Sequence, residues 1–198
     1  MLLMCPPRQM DDLHKFLETH GASEELAEYA AGKKSLAVLW QNCPRADWMV
    51  WVLNKADFRD QVELRLFAVA CAKRFWHLMN DSRVRNAIQT AELYAKGRGT
   101  RADLKRAQMN SGEGVDEATD RKDSQGTWVA KLAWATTLDS PLLAASQACL
   151  YGAMVARCGA FGPPRAAWLE AMAFQAEKLR EIMGNPFSAL ESEPATTA

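Results

Sequence analysis

Isoleucine is almost missing from this 198-residue chain, with two occurrences, and valine is sparse at nine. β-Branched residues favour strands, so their scarcity argues against a mainly β fold. Net charge is also missing: 24 Lys and Arg balance 24 Asp and Glu. That removes the simplest electrostatic reason to expect nucleic acid or an anionic membrane as partner. The longest uninterrupted apolar run, Leu66 to Ala72, is seven residues, and a membrane helix needs about 20. Met1-Leu2-Leu3-Met4-Cys5-Pro6-Pro7 has no basic segment and only a short apolar stretch, so no secretory signal is expected.

Chemistry-bearing motifs are equally scarce. His14, His20 and His77 are the three histidines, and no HxxxH, HExxH or CxxC spacing occurs. A metal site is therefore not expected, nor is a cofactor. His77 reads as a hydrogen-bonded structural histidine on a central helix. The five cysteines are odd in number and read as small buried hydrophobes in a reducing, cytoplasmic compartment. No GxSxG is present, which leaves a Cys–His pair assembled across the fold as the one open route to nucleophilic catalysis. Gly97-Arg98-Gly99-Thr100 lacks a Walker lysine and a preceding strand, and reads as a helix stop followed by a cap.

What the chain does have is alanine (33) and leucine (21), which head the helix scale. Together with 3.6-residue periodicity they predict an all-α fold, a single multi-helix bundle over 1–187 with a flexible tail at 188–198. Two short helices are expected over 11–31, broken near Gly21. A third is capped by Ser35, and a fourth is capped by Asp47 and apolar nearly all round. Leu64, Phe67, Cys71, Phe75 and Leu78 form one stripe and Val62, Leu66, Val69 and Trp76 another, predicting a long central helix near 60–79. Asp81-Ser82 starts the next helix. Thr100 and Asp103 resemble a capping box for a short basic helix ending about Met109. Asn110 to Gly126, with three glycines, seven charges and little that is apolar, reads as a long mobile loop or partly helical insert. Asp139-Ser140-Pro141 opens a helix whose Ala145, Cys149, Gly152 and Ala156 allow a neighbour to come close. The last helix carries Trp168, Met172, Gln175, Leu179 and Ile182 on one stripe and stops at Gly184.

The charges are unevenly placed. Residues 82–110 carry net +5, including Arg83, Arg85, Arg98, Arg101 and Arg106, while 111–123 carry net −3, including Asp116, Asp120 and Asp123. Three readings follow: a basic nucleic-acid patch, an acidic insert folded over basic helices, and a mixed-charge surface that steers a protein partner. Charge neutrality disfavours the first. Asp116, Asp120 and Asp123 would share a face if helical, where a solvated surface is favoured over a Mg²⁺ or acid–base site. Trp48 and Trp51 share a helix with almost no polar face. The core is the favoured place for them, and an interface anchor at Trp48 is the other.

Cys43-Pro44-Arg45-Ala46-Asp47-Trp48-Met49-Val50-Trp51-Val52-Leu53, Arg65-Leu66-Phe67-Ala68-Val69-Ala70-Cys71-Ala72-Lys73-Arg74, Ala87-Ile88-Gln89-Thr90-Ala91-Glu92 and Leu179-Arg180-Glu181-Ile182-Met183-Gly184-Asn185-Pro186-Phe187 resemble a set of alanine-rich, all-helical bacterial and phage proteins. Some of these are labelled immunity proteins of polymorphic toxin systems. The resemblance implies a helical fold and no catalytic residues, and residues 110–126 depart from it. The expected function is a non-enzymatic binding protein acting by stoichiometric contact, of which a toxin immunity protein is one case. The alternatives are a phage-encoded inhibitor of a bacterial defence complex, a structural assembly component, and an enzyme using Asp116, Asp120 or a Cys–His pair.

Overall fold

The structure is a computed structural model that describes residues 13–58 and 60–188. Expectations for Cys5, for the first residues and for the tail beyond Ser188 lie outside the described residues. Ten α-helices and no strand are found among them: α1 (Leu13–Thr19), α2 (Glu24–Ala30), α3 (Leu36–Asn42), α4 (Ala46–Lys55), α5 (Gln61–Lys73), α6 (Ser82–Ala95), α7 (Arg101–Asp120), α8 (Ser124–Ala135), α9 (Pro141–Cys158) and α10 (Pro164–Met183). Seven of them open on a side chain that satisfies backbone N–H groups left free by the first turn: Ser23, Ser35, Asp60, Asp81, Thr100, Asp123 and Ser140. Asp47 does not cap α4. It lies in the first turn, and Arg45 at the cap position makes no side-chain cap bond. No helix among the described residues is long and apolar enough to cross a membrane.

Helix α5 is the centre, packed against α6, α8, α9 and α10. Its Leu64, Phe67, Ala68, Cys71 and Ala72 are buried, facing the alanine-rich side of α9 that carries Ala145, Ala148, Cys149 and Gly152. A Cβ on Gly152 would stand 2.5 Å from the buried Gln175 amide of α10, so the small residue is what lets the two helices approach. The predicted helix to 79 ends earlier, at Lys73. Phe75 N–H donates to Ala72, Leu78 to Phe75 and Met79 to Trp76, three i to i−3 bonds that tighten the chain into a 3-10 turn at Trp76–Leu78. Apolar spacing over a single turn does not separate three residues per turn from 3.6. One consequence is that His77 is exposed on this turn and is not a core histidine.

The stretch 110–126 is not a mobile loop. Residues 110–120 complete α7, residues 121–123 turn the chain, and 124–126 begin α8. The buried stripe of α7 is Leu104, Ala107, Ser111, Gly114 and Ala118, at helical spacing but made of small residues after the first. Close approach replaces apolar bulk: a Cβ on Gly114 would be 3.2 Å from Asp81 Oδ2 and 3.4 Å from Val84 Cγ2 of α6. The fully buried Ser111 hydroxyl donates back to the Gln108 carbonyl at 3.1 Å. Helix α7 lies against α6 on one flank and α8 on the other.

Two buried polar arrangements tie distant segments together. Arg65 of α5, 2% exposed, donates to the carbonyls of Thr136 (2.7 Å), Leu138 (2.8 Å) and Asp139 (3.3 Å), just past the end of α8. At the opposite extreme of the chain, the Trp40 indole N–H donates to Gly184 O at 2.7 Å and Asn185 Nδ2 to Ala37 O at 3.1 Å. Arg180 Nη1 reaches Cys43 O at 2.8 Å, and the Phe187 ring sits edge-on to Trp40. Gly184, at φ 63° and ψ −138°, takes a backbone conformation open to glycine that ends α10 and aims its carbonyl at Trp40.

Candidate functional site

The residues singled out by charge do not gather into one patch. Arg83 of α6 is spoken for within the fold, bonding Asp81 at 2.7 Å and Glu117 of α7 at 2.7 Å, with Glu113 at 3.5 Å. The acidic half of α7 thus meets the basic helix α6 through Glu113 and Glu117, not through the aspartates. Arg85 lies with its guanidinium 5.6 Å from the Trp76 ring, and Arg98 is exposed between α6 and α7. Arg101 and Arg106 are exposed, in long ion pairs with Asp139 (3.5 Å) and Asp103 (3.6 Å). Asp116 and Asp120 project from α7, whereas Asp123 caps α8 and leaves their face. Trp48 of α4 is half-buried and neither core nor free anchor. It lies against Tyr29, with the Arg45 guanidinium 4.4 Å from its ring and 4.5 Å from that of Trp168. Arg45 in turn pairs with Asp47 and Glu25.

Several surface carboxyls are held below their ordinary values. Arg83 does this first for Asp81 and for Glu117, Lys73 and Lys96 do it for Glu92, and the Thr100 hydroxyl does it for Asp103. A carboxyl whose folded pKa lies below its unfolded one stabilises the fold fully above the unfolded value. That contribution disappears as pH falls through the folded value. Unfolding temperature is therefore expected to hold down to about pH 5 and to drop below about pH 4. Because these groups are exposed or only half-buried, each contributes little. Arg83→Gln should flatten the acid limb of a thermal-unfolding series against pH, and an unchanged limb would mean that the Asp81–Arg83–Glu117 cluster carries none of it.

Three of the four described thiols are placed for packing, and Cys158 departs from the expectation of a buried hydrophobe. Cys43, Cys71 and Cys149 are buried, and Cys158 is exposed. Burial pushes Cys43 up to about 11 and raises Cys71 and Cys149 as well, so all three are held in the unreactive thiol form. Among the described residues no three His, Cys, Asp or Glu side chains are placed to hold a metal ion.

The site that sequence reasoning missed is a cleft of about 550 Å³ where the end of α5 and the 3-10 turn meet the α9–α10 corner. Arg74, Phe75, His77, Val155, Phe161 and Glu170 line it. Phe161, in the Gly159-Ala160-Phe161-Gly162-Pro163 turn, is fully exposed at its rim. Arg74 lies with its guanidinium 4.3 Å from the Phe174 ring and 5.6 Å from the Phe75 ring, which keeps it beside the apolar wall. Its Nη2 is 3.5 Å from the exposed Glu170, and its Nη1 is buried with no hydrogen-bond partner. The cleft therefore offers an apolar wall, a projecting aromatic ring and a cation held at its edge. The signal in the sequence was a large aromatic between glycines and prolines, in a turn where neither packing nor capping asks for one. The chain matches no protein-family model, no curated protein and no solved structure.

Proposed function

We propose that this chain is a protein-binding protein that acts by stoichiometric contact through the α9–α10 corner. The observation that carries the reading is Phe161, a fully exposed aromatic beside a cleft whose wall holds Arg74. Aromatic and arginine side chains at the edge of an apolar recess are the groups on which binding energy concentrates. A partner segment that fits has an apolar side chain to enter the cleft and a carboxylate to face the Arg74 cation. The resemblance to immunity proteins makes a toxin the first partner to try.

The test is to co-express the chain with the products of its neighbouring genes and to titrate any complex by calorimetry. A complex of fixed stoichiometry is expected. Phe161→Ala should weaken it about tenfold or more, with the unfolding temperature unchanged. Whether the partner is a toxin or a component of a defence complex then decides between immunity protein and defence inhibitor. No complex with any neighbour, or one indifferent to Phe161 and Arg74, rejects the reading.

A further inference from the structure

Asp103 in the first turn apart, helix α7 carries its charges against its own dipole. Arg101, Lys105 and Arg106 stand near the N-terminus, where the helix end is positive, and Glu117 and Asp120 stand in the last turn, where it is negative. At about 100° per residue, Arg101, Lys105, Met109, Gly112, Asp116 and Asp120 fall within one arc of about 100°, opposite the buried stripe. Arg101, Lys105, Asp116 and Asp120 are all exposed. Lys105, Asp116 and Asp120 have no ion-pair partner among the described residues, and Arg101 has only the long contact to Asp139. Midway along the helix Met109 is 65% exposed, and Gly112, three residues on, leaves a gap whose floor is the Trp134 ring, 3.9 Å from where a Cβ would be.

This arc is complementary to itself. Two copies of α7 laid antiparallel about a two-fold axis between residues 110 and 111 oppose Arg101 to Asp120, Lys105 to Asp116 and Met109 to Gly112, each pair formed twice. The methionine of one copy drops over the glycine of the other and against Trp134, a sulfur–aromatic contact. The acidic half of each helix comes to lie beside the N-terminus of the other, which relieves the mismatch with the dipole. We infer that α7 is a homodimer interface, with a second copy of this chain as its occupant. The surface is separate from the α9–α10 corner, and the inference does not depend on the function proposed for that corner.

One helix pair about 30 Å long is a small interface, so the dimer should be weak. Sedimentation velocity over protein concentrations from about 1 to 300 µM should show a reversible monomer–dimer equilibrium. Lys105 and Asp116 are about 16 Å apart along one helix and cannot pair within a chain. Lys105→Glu and Asp116→Lys should each weaken the dimer about tenfold, and the double exchange should restore it to within about threefold of the original. Should either charge variant lose helicity by circular dichroism, Met109→Lys takes its place and should abolish the dimer. A chain that stays monomeric throughout, a dimer indifferent to these substitutions, or a double exchange that fails to restore association would each overturn the inference.

Discussion

Arg65→Met is expected to lower the stability of the fold by about 3 kcal/mol. The guanidinium is, among the described residues, the one donor group that reaches the carbonyls of Thr136 and Leu138, at 2.7 and 2.8 Å, and it also serves Asp139. Hydrogen bonds from a charged donor contribute about 1.5–3 kcal/mol each, and a buried acceptor left unpaired pays its desolvation in full. The carbonyls belong to the backbone and cannot be removed along with the arginine, so a methionine of similar length fills the space and satisfies nothing. The charge itself is kept by the position: burial lowers the Arg65 pKa, while the Asp139 carboxylate raises it and the Tyr94 ring stands 5.4 Å away. The nearby C-terminal end of α8 also favours a cation. In a chain of this size, about 3 kcal/mol lowers the unfolding temperature by roughly 6–12 °C. Arg65→Lys, which keeps the charge but loses the fork, should fall between the two. Urea unfolding followed by circular dichroism measures all three. Wild-type stability in Arg65→Met would show that water reaches those carbonyls.

Trp40→Ala is expected to cost about 4 kcal/mol. The ring is 1% exposed, is the largest fully buried side chain among the described residues, and is packed against Phe187. Its removal leaves a cavity and frees Gly184 O. Trp40→Phe should cost about 1–2 kcal/mol, chiefly through the lost indole donor and some packing volume. Asn185→Ala, which removes only the bond to Ala37 O, should cost about 1 kcal/mol. A large effect of Asn185→Ala with a small one of Trp40→Ala would mean that hydrogen bonding, and not packing, holds α3 to the end of α10.

The helices that the sequence announced are those with a side-chain cap and an apolar stripe of ordinary size. Ser35, Asp81, Thr100 with Asp103, and Ser140 before Pro141 all start helices as their spacing predicted. Helix α7 ran past its predicted end because hydrophobic periodicity registers bulk, and Ala107, Ser111, Gly114 and Ala118 bury their side by being small. The same blindness hid Arg65: inside Val62-Glu63-Leu64-Arg65-Leu66-Phe67 a charged residue reads as solvated, and its acceptors lie more than 70 positions further on. The cleft was illegible for a related reason. Arg74 comes from the end of α5 and Phe161 from the α9–α10 turn, and nothing in local spacing says that they share a wall.

The bonds from Trp40 to Gly184 and from Asn185 to Ala37 span 144 and 148 positions. During synthesis this separation is a delay. At about 5–20 residues per second, the indole and carbonyls of α3 leave the ribosome on the order of 10 s before their partners exist. Helix α4 waits too, since it packs against α9 and α10. Over that interval α3 and α4 present Trp40, Met49, Val52 and Leu53 to the surroundings without the helices that will cover them. The N-terminal part of the chain is thus made first and finished last. The window in which it can aggregate or engage a chaperone is set by the rate of elongation, whatever the stability of the completed bundle.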